Sequence, residues 1–199
     1  LYNCTLISNS VANLGGGVSG GTLYNCTLIS NRTTSTGGGA YLGTLYNCTL
    51  IGNYAAVSGG GTRESTLYNC TVVNNSADPG GTGGALNGTL YNTILYFNTS
   101  GSESNYSGTI CFTNSCTAPT KAGWAANNIT NVPVFMNTNT SNYRLSSDSP
   151  CINTGTNFSW MTDDSITSKD LDGRMRIRYG TVDMGAYEHT HAGTIYGFH

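Results

Sequence analysis

Charge is the scarcest property of this sequence. Its 199 residues carry 8 Lys and Arg against 10 Asp and Glu, 9 % in all, where an average domain has about 25 %. So little charge, netting −2, leaves no electrostatic footprint for nucleic acid or for an anionic membrane surface. No apolar run approaches the roughly 18 residues of a membrane-spanning helix. Glu, Lys, Gln and Ala are few, which argues against a helical bundle, and Tyr, Leu and Ile are too many for a flexible linker. Asn, Thr, Ser and 27 Gly fill the space, with 38 % apolar residues. That is the composition of a β protein. Leu1 is not an initiator Met, and a repeat is already running there; the expectation is a removed signal or a longer parent chain.

The repeat is plain. Leu1-Tyr2-Asn3-Cys4-Thr5-Leu6 returns at residues 23–28, 45–50 and 67–72, with a degenerate copy at 90–95. The step is 22 residues three times and then 23. Gly16, Gly38, Gly60 and Gly83 keep the same step, as do Asn9, Asn31, Asn53, Asn75 and Asn98. The extra residue falls between Asn75 and Gly83, where Asp78-Pro79-Gly80 marks a turn.

Two architectures repeat at this length. A leucine-rich horseshoe needs a second, usually helical, half in each unit, and the glycine triplets that occupy that half cannot hold a helix. The sequence therefore predicts an all-β, right-handed parallel β-helix of 22-residue coils. Leu45 and Leu50 are five apart and would face opposite ways on one straight strand. A corner at Asn47 resolves this, with Leu45, Cys48 and Leu50 inward and Tyr46 and Thr49 outward. Asn3, Asn25, Asn47, Asn69 and Asn92 form one expected asparagine row, and Asn9, Asn31, Asn53, Asn75 and Asn98 a second. Tyr2, Tyr24, Tyr46, Tyr68 and Tyr91 run outside beside a threonine row. Residues 1–105 are the expected coils; residues 106–199, where the repeat dissolves, are a last coil and an irregular, loop-rich C-terminal cap of the same domain. The Leu1 end shows no cap, and its open edge invites self-association.

The second half carries an ordered set of motifs: Asn128-Ile129-Thr130 with Pro133-Val134-Phe135, Asn142-Tyr143-Arg144-Leu145, Ser149-Pro150-Cys151-Ile152-Asn153-Thr154-Gly155, Asp170-Leu171-Asp172-Gly173 with Arg176, and Val182-Asp183-Met184-Gly185-Ala186-Tyr187-Glu188. Together these resemble the C-terminal region of bacterial choice-of-anchor Q proteins. The upstream repeats are similar to those of polymorphic outer-membrane proteins. The resemblance implies a secreted or cell-surface, extracellular β-helix protein, and it transfers no catalytic residue.

Candidate sites are weighed from the residue types. Cys4, Cys26, Cys48 and Cys70 lack the short gaps of a zinc site and read as buried fillers. Cys111, Cys116 and Cys151 are an odd set from which one disulfide is expected in an oxidising compartment; Cys111–Cys116 is the local pairing, with Cys151 as competitor. The tyrosine row is either a glycan platform or a self-stacking ladder. Asp170, Asp172 and Asp183, with Asp163, Asp164 and Glu188 nearby, are weak candidates for calcium, although the twelfth position of a calcium loop from Asp170 would be Thr181. The plainer reading is a tight turn, with Arg176 paired to Asp183 or Glu188. His189 and His191 read as incidental, and no cofactor is otherwise called for. Before Glu103 the only charged residues are Arg32, Arg63, Glu64 and Asp78, too few for acid–base catalysis on the rod. The expectation is a non-catalytic scaffold, adhesive or glycan-contacting. The alternatives are part of a carbohydrate-active enzyme, a polysaccharide lyase or glycoside hydrolase, and a self-assembling fibre subunit.

Overall fold

The computed structural model describes residues 1–101, 104–120, 123, 127–163 and 165–190. Glu103, Trp124, Asp164 and His191 lie outside them. The chain winds into a β-solenoid of parallel sheets, with three single 3-10 turns, at Thr138–Thr140, Ser159–Met161 and Ile166–Ser168. Coils 1 to 5 are headed by Tyr2, Tyr24, Tyr46, Tyr68 and Tyr91, and coil 6 by Thr113. The first sheet has six strands, Thr5–Ile7, Thr27–Ile29, Thr49–Ile51, Thr71–Val73, Ile94–Tyr96 and Cys116–Thr117. A second sheet takes two residues from each of four coils, starting at Ser10–Val11. The third runs through Val18–Ser19, Ala40–Tyr41, Thr62–Tyr68, Ala85–Tyr91 and Tyr106–Thr113. Register follows the repeat: Leu6 faces Leu28, then Leu50, Val72 and Leu95.

The corners explain why Asn recurs. Asn3, Asn25, Asn47, Asn69, Asn92 and Asn114 all have φ between 48° and 53°, the left-handed region that Asn enters more easily than other residues with a Cβ. The glycine triplets answer a different need. A Cβ on Gly38 would stand 2.3 Å from the Gly60 carbonyl oxygen, and one on Gly16 2.3 Å from that of Gly38. Successive coils touch backbone to backbone there. Inside, Leu23, Leu28, Leu45, Leu50, Leu67 and Leu90 are fully buried with Cys26, Cys48 and Cys70, as the inward pattern predicts.

The C-terminal third does more than continue the winding. Ile129 bridges Cys116 and so extends the winding, and a hairpin, Phe135–Asn137 with Asn142–Leu145, then folds against the outer face of the first sheet. Phe135, Tyr143, Leu145, Cys151 and Met184 bury Val73, Ile94 and Cys116 in a second core outside the solenoid. From there the chain runs back along the asparagine corner. Asn114 donates to the Thr154 carbonyl, Asn92 to Thr156, Asn69 to Asp183, Asn47 to Thr167 and Lys169, and Asn25 to Ile166 and Asp170. This arm thus spans coil 6 to coil 2. The outward threonine row is correspondingly uneven: Thr5 is exposed, while Thr49 and Thr71 are buried beneath the arm.

Candidate functional site

The five tyrosines form one continuous stack. Neighbouring ring centres are 4.8, 5.0, 4.8 and 4.8 Å apart and the planes differ by 5–13°. The spacing is that of adjacent strands, imposed by the in-register pairing of Tyr24, Tyr46, Tyr68 and Tyr91. A pyranose packs on the face of an aromatic ring, and in this stack each inner face is taken by a neighbour. Tyr24, Tyr46 and Tyr68, each between two neighbours, therefore present edges and hydroxyls only. The stack ends on Tyr2, which is 57 % exposed, and on Tyr91, which is partly exposed and is followed in coil 6 by Thr113. Burial raises the phenol pKa of Tyr46 and Tyr68 above the ordinary value.

Two aromatic residues of the arm supply what the ladder withholds. Phe158 lies 5.8 Å from both Tyr68 and Tyr91, and Trp160 5.4 Å from Tyr46 and 6.2 Å from Tyr68, with planes at 85–88° to the tyrosines. Each is centred near the gap between two coils. Their planes, being perpendicular to the stacked rings, contain the solenoid axis. Phe158 and Trp160 are within 8° of parallel with ring centres 5.9 Å apart, an offset stack, and the shift of one coil between them runs along that axis. They overlap like shingles, slid past one another by about one coil step. Their inner faces receive the tyrosine edges in T-shaped contact. Both remain partly exposed, so the outer faces form a two-ring aromatic surface. Their spacing in sequence, one residue apart, was a signal; its meaning depended on where the arm lies.

The rows beneath are chemically quiet. In the second asparagine row each Oδ1 accepts both the backbone N–H and the side-chain amide of the coil before, as Asn53 does from Asn31 at 2.9 and 3.0 Å. Asn105 continues the row beyond Asn98. The thiols of Cys4, Cys26, Cys48 and Cys70 donate to the carbonyl two residues back, at 3.1–3.3 Å. Thr93 and Ser115 take the same place in coils 5 and 6. Burial pushes the Cys48 thiol far above the range of a reactive thiolate. All seven cysteines are free thiols, so the local Cys111–Cys116 bridge is not present. Cys111 is exposed on the third sheet, whereas Cys116 and Cys151 are buried together in the second core. Their mutual hydrogen bond, aided by burial, raises the Cys116 pKa.

Among the described residues the acidic candidates are engaged by the chain itself. Asp170 is fully buried; its Oδ1 accepts from the N–H groups of Asp172 and Arg174, and its Oδ2 from that of Glu188. Asp183 accepts from the N–H groups of Asn153 and His189. Asp172 is gripped by Arg144 and Arg174; burial pushes its pKa up, but the two guanidiniums outweigh this and hold it below the usual carboxylate range. Arg176, wholly buried, meets Glu188 Oε1 at 2.9 Å and donates to the Asp183 and Gly185 carbonyls. The tight turn and the internal pairing are thus observed, and among the described residues no cluster of three His, Cys, Asp or Glu side chains is arranged to hold a metal. Scanned against family models the chain matches none, and no curated protein matches it.

Proposed function

We propose that the chain is a secreted or cell-surface β-helix scaffold that contacts glycans through the aromatic surface of its arm, without catalysing a reaction in this segment. The offset-stacked, partly exposed Phe158 and Trp160 carry the reading: two parallel ring faces shifted by one coil step suit the apolar faces of successive sugar units, and the rigid solenoid beneath removes the entropy cost of ordering them. The likeness of the C-terminal motifs to choice-of-anchor Q proteins supports the same setting outside the cell. The charge-poor coils favour a scaffold over an enzyme, because acid–base chemistry needs titratable pairs.

Affinity electrophoresis of the full chain through gels carrying soluble polysaccharides tests this. Retardation by at least one polysaccharide is expected, and Phe158→Ala with Trp160→Ala abolishes it while leaving the circular dichroism unchanged. Retardation that survives the double substitution, or none with any glycan, overturns the proposal. Release of oligosaccharide products that ceases in Asp170→Asn or Asp172→Asn would make the chain an enzyme instead.

A further inference from the structure

Between the hairpin and the far end of the arm lies a cavity of about 650 Å³, within the ~300–1,000 Å³ span of small-molecule sites. Three separate segments converge on it: the returning hairpin strand with the residues after it (Asn142, Arg144, Ser147), the aspartate turn (Arg174), and Glu188 with its neighbours. None of these belongs to the aromatic surface.

The guanidiniums lining the cavity are accessible yet fixed. Arg144, 40 % exposed along its side chain, grips Asp172 through Nε and Nη2. It also donates from Nη1 to Asn142 Oδ1 at 3.2 Å and lies over the Tyr187 ring, 4.7 Å from its centre. Arg174, 35 % exposed, donates from Nη1 to Asp172 Oδ2 at 2.5 Å, sharing that oxygen with Arg144 Nε. A surface arginine normally gives up much rotamer freedom on binding a ligand; these two have already surrendered it to the protein.

Charge narrows the ligand. Arg144 and Arg174 are balanced by Asp172 and by Asp170, which lies 3.8 Å from Arg174, so no net positive field draws phosphate or sulfate. What is left is a set of fixed planar donors and acceptors beside aliphatic Met136 and Leu145. That mixture fits vicinal hydroxyls on one side of a ligand and a C–H face on the other. We infer that this pocket binds one neutral hexose or N-acetylhexosamine unit, with Arg174 and the Ser147 hydroxyl on adjacent sugar hydroxyls. The inference rests on the glycan reading for its class of ligand and on separate residues for its site.

Saturation-transfer NMR of the full chain tests it, with D-glucose, D-galactose, D-mannose and N-acetyl-D-glucosamine beside D-glucuronate and inorganic phosphate. At least one neutral sugar is expected to give saturable transfer. Binding becomes about tenfold weaker in Arg174→Ala, the loss of a charged hydrogen bond. It is lost in Ser147→Tyr, which fills the cavity from an exposed position, and it is unchanged in Trp160→Ala. If Arg174→Ala fails to fold, Ser147→Tyr decides. Signal that persists in Ser147→Tyr but vanishes in Trp160→Ala overturns the pocket and leaves the aromatic surface standing. Preference for glucuronate or phosphate, or no transfer from any neutral sugar, overturns the pocket as well; polysaccharide retardation by Phe158 and Trp160 is read separately in gels.

Discussion

Leu42 occupies a corner with φ 51°, where Gly20 stands one coil earlier and Asn87 and Gly108 stand later, all with positive φ. A left-handed conformation costs a residue with a Cβ about 1–2 kcal/mol, and the Leu42 side chain, 53 % exposed, recovers little by burial. Leu42→Asn is therefore expected to raise stability by about 1 kcal/mol, read as a higher urea midpoint with an unchanged slope; a lower midpoint refutes it. The same corners show what single residues reveal in a sequence. The Asn at each first corner was readable because it recurs in a repeat whose leucines demand a bend. The strain at Leu42, Glu64 and Phe97 was not, since those side chains give no hint of the φ imposed on them by neighbouring coils.

Among the elements, the inner asparagine row shows how a ladder's strength depends on position. Asn53 accepts two hydrogen bonds from Asn31 and gives two, to the Leu28 carbonyl and to Asn75 Oδ1, all within the buried interior. Asn9, at the exposed first coil, has a single side-chain bond, from its Nδ2 to Asn31 Oδ1. Removing a buried partner costs about 1–3 kcal/mol for each group left unmet. Asn53→Ala is therefore expected to cost at least about 3 kcal/mol, and Asn9→Ala less than about 1 kcal/mol. Equal losses in paired urea titrations would show that the row is packing and not a hydrogen-bonded ladder. This row, the cysteine row and the coil register were all legible in the sequence, because each position is repeated and errors in one coil are corrected by the next. The arm was not. Its contacts run from corner amides to backbone carbonyls, which any residue supplies, so neither spacing nor side-chain type marks the partners. Phe158 and Trp160 shared that fate, and their seat against the tyrosine edges became visible only once the arm had been placed over the tyrosines.

For the molecule as a whole, the arm's own interior sets a dependence on pH. Burial pushes the Glu188 carboxyl from its ordinary 4.5 up to about 8, against the pull of Arg176, with the nearby Asp183 and Asp170 carboxylates adding to the rise. The folded state then holds this proton more tightly than the unfolded chain, so the stability it contributes is full below pH 4.5 and declines as pH rises through 8. Thermal melts across that window should show a falling midpoint that flattens in Glu188→Gln; a slope identical in both proteins excludes Glu188 as its source. The arm also has a length, and length counts. It meets coils 6 and 5 at Thr154 and Thr156, coils 3 and 2 at Thr167 and Ile166, and coil 4 on its return at Asp183, each coil about one 4.8 Å step from the next, so it works as a ruler laid against a stack of identical tiers. Deleting or duplicating one tier would leave the stack itself intact and put every mark on that ruler out of place, which makes the number of windings between Tyr24 and Asn114 a quantity the tail measures.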